Sequence, residues 1–300
     1  MTGHPLLEVT EVARTEPYLR TVGEVFRAFR DQDSGCVSYG VRLANGERWF
    51  VKEATTAAAR HSLDRAWAFH RAVRHPAIVP QLHRLAVGSG GPAVVMPWHC
   101  GEVLYDPTPH RHGGRAHPDH PLARFRAQPV APILRAVDRL LHAHLAVEAA
   151  GFVAVDLYDG AFLYDFDAGE LRLVDLDEYR PGPFTLEADR LPGSRRFMAP
   201  EERRRGSRID TRTTVHALGR AIRLLLDAGD EERAWRGTAG QLAVVERAAH
   251  PDPGERFTGV EELTRAWRGS VGRDPGGAAG HPGHRARTPV FGAPPGTPPR

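Results

Sequence analysis

The chain has 300 residues, 41% hydrophobic and 26% charged, enough to bury a core in one large domain or two lobes. Its 40 basic and 37 acidic residues leave a formal charge of +3, which argues against nucleic-acid binding, and Arg203, Arg204, Arg205 and Arg208 read as solvated surface. Two distant cysteines, Cys36 and Cys100, give neither a disulfide framework nor a cysteine zinc site.

Residues 1–23 read as an N-terminal extension. The span 24–97 is mostly strand-like: 36–41 is β-prone, 44–47 is a turn, and Arg48-Trp49-Phe50-Val51-Lys52 returns as the second strand of a hairpin. A helix is predicted over 62–73, stopped near His75-Pro76, followed by strands at 78–79 and 93–96. Residues 98–270 change character. A Pro-, Gly- and His-rich insert covers about 105–122, and then Ile133, Val137, Leu140, Leu141, His144 and Leu145 form one helical stripe with Gly151 beyond its end. Short strands at 162–164 and 171–174 flank a turn at 167–169. Val215, Leu218, Ile222 and Leu225 mark another helix, and Thr258 with Glu261 reads as a capping box opening the last. The tail 271–300 has the composition of a disordered segment. Strands first and helices later is an α+β plan with two unequal lobes.

Among the 40 basic residues one is lysine, Lys52. A chain that otherwise uses arginine keeps a compact ammonium here, which points to a site that a planar guanidinium cannot serve; the plain alternative is a cation at a strand end. Asp156 follows the long helix and Asp175 follows the strand at 171–174. Singly each would be a surface or capping residue, but together they suggest a phosphate and metal site. The tract His110, His112, His117 and His120 carries ligand types for zinc or nickel, but its loop supplies no fixed geometry.

In this order the motifs resemble those of the protein kinase superfamily over about 35–267. Trp49-Phe50-Val51-Lys52 resembles the strand whose lysine holds the α- and β-phosphates, and His75-Pro76-Ala77-Ile78-Val79 the turn after the C helix. Phe152-Val153-Ala154-Val155-Asp156 is similar to the catalytic loop, Asp175-Leu176-Asp177 to D-F-G, and Phe197-Met198-Ala199-Pro200-Glu201 to the end of the activation segment. His250-Pro251-Asp252-Pro253-Gly254-Glu255-Arg256-Phe257 resembles the element whose arginine pairs with that glutamate.

The resemblance implies a two-lobed α+β fold and ATP and Mg2+ as cofactors. Asp156 would be the base, Asp175 the metal ligand, and Glu201–Arg256 a structural ion pair. Gly35, Val37, Pro97, His99 and Leu163 would join Lys52 around the nucleotide, Pro97 and His99 through their backbone. It also implies serine/threonine transfer to a protein substrate, and Ser194 matches the small hydroxyl residue of serine/threonine-selective members. The cysteine usage, the lack of a signal-peptide pattern and of an apolar run of about 18 residues, and the slight charge separately suggest a cytoplasmic chain with no membrane or nucleic-acid partner. The sequence departs from the family at several places. The glycine-rich loop is reduced to Gly35, the C-helix glutamate position falls near Ala66 with Asp64 close by, Tyr158 and Ala161 replace a lysine and an asparagine, and Phe50 stands where a small residue covers adenine. Those losses predict a slow enzyme, or a pseudokinase that serves as a binding or regulatory module. A small-molecule kinase is the third reading, but that type lacks the Ala199-Pro200-Glu201 element.

Overall fold

The computed structural model describes residues 3–30, 34–88, 90–105, 114–115 and 117–270. His110, His112 and the tail 271–300 lie outside the described residues. The chain is mixed α+β. It opens with β1 (Glu11–Val12), α1 (Thr15–Val22), β2 (Gly23–Phe29), β3 (Cys36–Leu43), β4 (Arg48–Ala54), α2 (Ala57–Ala72), β5 (His83–Val87) and β6 (Pro92–Pro97). The six strands form one sheet in the order β1-β5-β6-β4-β3-β2, antiparallel except for the β1–β5 pair.

Alternation of side chains gives this sheet two different faces. On one, Val41, Val51, Leu85 and Val95 pack against Leu6, Val12 and Leu19. Thus residues 6–22 pack on one face of the sheet. On the other, Ala54 and Val94 meet Ala59 and Leu63 of α2. The predicted hairpin is β3–β4, in register Ser38 to Lys52, and Gly46 closes its turn at φ +86°, where a side chain would be strained. Helix α2 starts earlier than the apolar period suggests, because Thr56 Oγ1 accepts the Ala59 N–H at 3.2 Å and caps an alanine-rich first turn. The strand expected at 78–79 is a correction: Ile78 makes only an isolated bridge to Leu173, and the real strand is β5.

The rest comprises β7 (Glu102–Val103), α3 (Pro121–Ala127), α4 (Val130–Ala149), β8 (Phe152–Val153), β9 (Phe162–Asp165), β10 (Glu170–Leu173), β11 (Arg180–Pro181), β12 (Phe184–Thr185), β13 (Arg208–Ile209), α5 (Thr211–Leu226), α6 (Ala239–Ala248) and α7 (Val260–Ser270). Strands β10, β9 and β7 form a small sheet beside α4, while β8 pairs with β11. Ile133, Val137, Leu140 and Leu141 of α4 share one core with Val215, Leu218, Ile222 and Leu225 of α5, the stripes that the sequence marks. Within it His144 Nδ1 donates to the Leu140 carbonyl and Nε2 accepts from the Tyr179 hydroxyl, each at 2.8 Å. The α7 cap differs from expectation: Thr258 N–H and Oγ1 both bond Glu262, not Glu261. No helix among the described residues is long and apolar enough to cross a membrane.

Candidate functional site

Lys52 sits near the end of β4, and its side chain is 8% exposed. Its Nζ donates to Asp175 Oδ1 and to Asp177 Oδ2, both at 2.6 Å, so the lone lysine is held by two carboxylates from the segment after β10. Burial, the largest influence, pulls its pKa down, but the charges of Asp175 and Asp177 outweigh it and hold the amine well above its ordinary value. At Asp175, whose side chain is 39% exposed, the Lys52 charge keeps the carboxyl below its usual range. At the more enclosed Asp177 burial prevails and pushes the carboxyl up.

Asp156 follows β8 and faces the same group. Burial, then the charges of Asp175, Glu178 and Asp177, raise its pKa to about 7. Asp156 and Asp175 have φ of 62° and 56°, two of only three non-glycine residues with positive φ among the described residues. An aspartate in this region costs on the order of 1 kcal/mol or more, and such strain concentrates at functional sites. Tyr158 adds a hydroxyl that donates to Asp175 Oδ2 at 3.4 Å. The segment carrying Ser194 runs alongside: a Cβ at Gly193 would meet Asp156 Oδ1 at 3.4 Å.

The remaining expected residues are not gathered here. Gly35, at φ +69°, accepts the Thr55 N–H and hydroxyl, and a Cβ there would strike Thr56 Oγ1 at 2.4 Å. Gly35 thus closes the chain onto the start of α2. Val37 pairs with Glu53 and packs on the sheet face away from Lys52. Pro97 and His99 line a separate cavity with His75 and Arg172, and Leu163 lies in β9 between Val103 and Arg172. Glu201 and Arg256 are brought together, Nη1 to Oε1 at 2.6 Å and Nη2 to Oε2 at 2.9 Å, both side chains buried. His120 caps α3 by accepting the Leu122 N–H.

Two positions change the picture most. Phe50 shares the Lys52 face of β4, and its ring lies 6.0 Å from Phe29 and 6.1 Å from Trp98, with Phe26 4.8 Å from Trp98. Gly40, opposite Phe50, is needed there because a Cβ would stand 2.7 Å from Phe26 and 2.8 Å from Trp98. Helix α2 offers no acid to Lys52: Ala66 is fully buried and Asp64 turns out to Arg84 at 2.6 Å. Instead α2 presents Ser62 and Arg65, which both bond Glu178 Oε1 at 2.6 Å, while Arg180 holds Oε2 at 2.8 Å.

Asp177 and Glu178 are the residues the sequence reading missed. The signal was present: four acids stand at 175, 177, 178 and 170 around one short strand, and only the first was assigned. Asp175 and Asp177 present oxygen donors only, the chemistry of a hard ion such as Mg2+, which proteins commonly hold by one or two carboxylates with water and phosphate. Among the described residues no group of three or more His, Cys, Asp or Glu is placed to hold a metal by itself. No protein-family model matches the chain, and no curated protein matches it either.

Proposed function

We propose that the chain is a protein-kinase-like phosphotransferase, slow in turnover, which uses ATP and Mg2+ to phosphorylate a serine or threonine of a protein. The observation that carries this reading is the Lys52 ammonium bridging Asp175 and Asp177, with Asp156 and Asp175 both held at positive φ. In this reading the six-stranded sheet with α2 is the small lobe and the helical remainder the large one. Lys52 would exchange the Asp175 oxygen for phosphate oxygens while Asp177 still holds it, aligning the triphosphate. Asp156 would accept the proton of the acceptor hydroxyl as its oxygen bonds the γ-phosphorus and the bond to ADP breaks. Asp175 and Asp177 would hold Mg2+, which when bound neutralises charge on the phosphates. Asp177 also gives Lys52 the acid that α2 lacks, so the lysine need not order itself unaided.

A second reading rests on Phe50, Phe29, Phe26 and Trp98, which crowd the sheet face where a base would lie. It makes the chain a binding module without turnover. Thermal unfolding with ATP and Mg2+, then labelled phosphate transfer, separates the two. Saturating nucleotide at about 100 times its Kd stabilises by ~2.7 kcal/mol. The first reading requires that shift and a transfer that Asp156→Ala abolishes. A shift without transfer leaves the binding module, and no shift at millimolar nucleotide removes ATP from both.

A further inference from the structure

A cavity of about 830 Å3 opens on the far side of α4, between that helix, the β9–β10 turn, the His75-Pro76 turn and α7. A second, of about 480 Å3, adjoins it through His75 and Pro76. Neither is lined by Lys52, Asp156 or Asp175. Arg135, Arg139 and Arg268 line the larger cavity, and Arg74 and Arg172 the smaller. Against these five arginines stand two carboxylates, Asp138 and Glu170. With the histidines neutral this one wall therefore carries a net +3, as much as the whole 300-residue chain.

The two acids are already divided. Glu170 is 2.7 Å from Arg172 and 3.7 Å from Arg139, and Asp138 is 3.5 Å from Arg268 and 3.8 Å from His142. Arg139 Nε is buried without a hydrogen-bond partner. His142 accepts from Arg268, so its ring is committed as well. The cations repel one another: His75 is held below its ordinary pKa by burial, then by His142 and Arg139. Pro76, Leu134 and Leu171 supply apolar wall. Guanidinium forks lining a space of small-molecule size suit the oxygens and double charge of a phosphate group.

We propose that the paired cavities behind α4 bind a small phosphate-bearing molecule, with Arg135 and Arg139 as its main ligands. This does not rest on the kinase-like reading, since the site shares no residue with the Lys52 cluster. The test is calorimetric titration of the full chain with inorganic pyrophosphate. Wild type is expected to bind saturably. Arg135→Glu, at an exposed position, and Arg139→Ala should each weaken binding about tenfold or more, the loss expected of a charge-assisted contact. Arg265→Glu, an exposed charge reversal on α7 outside both cavities, should leave it unchanged. In the complex the His75 imidazole, followed by NMR, should titrate at higher pH than in the free chain. No saturable heat, wild-type affinity in either cavity-arginine variant, or an equal loss in Arg265→Glu would each overturn the proposal, the last by showing only a response to surface charge.

Discussion

Asp156 is held where its charge is disfavoured, and the two consequences oppose each other. Its folded pKa, about 7, lies above the ordinary aspartate value, so folding takes up a proton between those limits. Its contribution to stability is therefore greatest at acid pH and is lost as pH rises through 7. Asp156→Asn should stabilise the chain at pH 8 by about 1–2 kcal/mol after solvent screening, with no gain at pH 3, as read by denaturant unfolding at both values. As a base it must be ionised, so phosphotransfer should climb through pH 7 to a plateau, and a rate flat from pH 5 to 8 would remove it from that role. Lys52→Met leaves Asp175 and Asp177 facing each other without a cation and should cost about 2–4 kcal/mol at pH 7. Lys52, Asp156 and Asp175 were legible because composition or position singled them out. Asp177 was not, because the expected partner of the lysine is an acid on α2, whereas the fold supplies it from the segment after β10.

At the scale of elements, the link between α2 and the segment after β10 runs with reversed polarity. The helix gives Ser62 and Arg65, and the segment gives Glu178, which Arg180 orients. Glu178→Gln should loosen this latch. The expected signs are faster amide exchange along α2 and a Tm loss equivalent to about 1 kcal/mol, and the loss should not add to that of Arg65→Ala because the pair is one contact. Unchanged exchange in α2 would show that apolar packing alone seats the helix. The sequence made most elements legible through their apolar period, as for α4 and α5. It failed where caps or pairing decide: Thr56 begins α2 before any stripe appears, and the apolar Ile78-Val79 fills a turn because its only strand partner is Leu173. The α7 cap moved by one residue because Glu262, not Glu261, reaches back to Thr258.

At the scale of the whole molecule, an early and a late segment of the described residues brace what lies between. Leu6 and Leu19 are fully buried against the sheet. Leu19→Ala should cost about 2–4 kcal/mol, and deletion of residues 1–22 should expose that face and drive aggregation, visible by light scattering. Arg256 is fully buried and bidentate to Glu201, so Arg256→Ala strands a buried carboxylate and should cost about 3–5 kcal/mol, whereas a loss under 1 kcal/mol would mean the pair is not what holds the helices. That pair was the clearest long-range contact in the sequence, because each half sits in its own recognisable string. The cover supplied by residues 6–22 was not legible, since its few apolar side chains show no period. One further property belongs to the molecule as a whole. The only ε-amine in the sequence is enclosed and kept protonated by its two acidic neighbours, and every other basic side chain is a guanidinium or imidazole. Lysine-directed acetylation, ubiquitin transfer and cross-linking therefore have one side-chain target, and an acyl group at position 52, located by mass after peptide cleavage, would report that the enclosure opens.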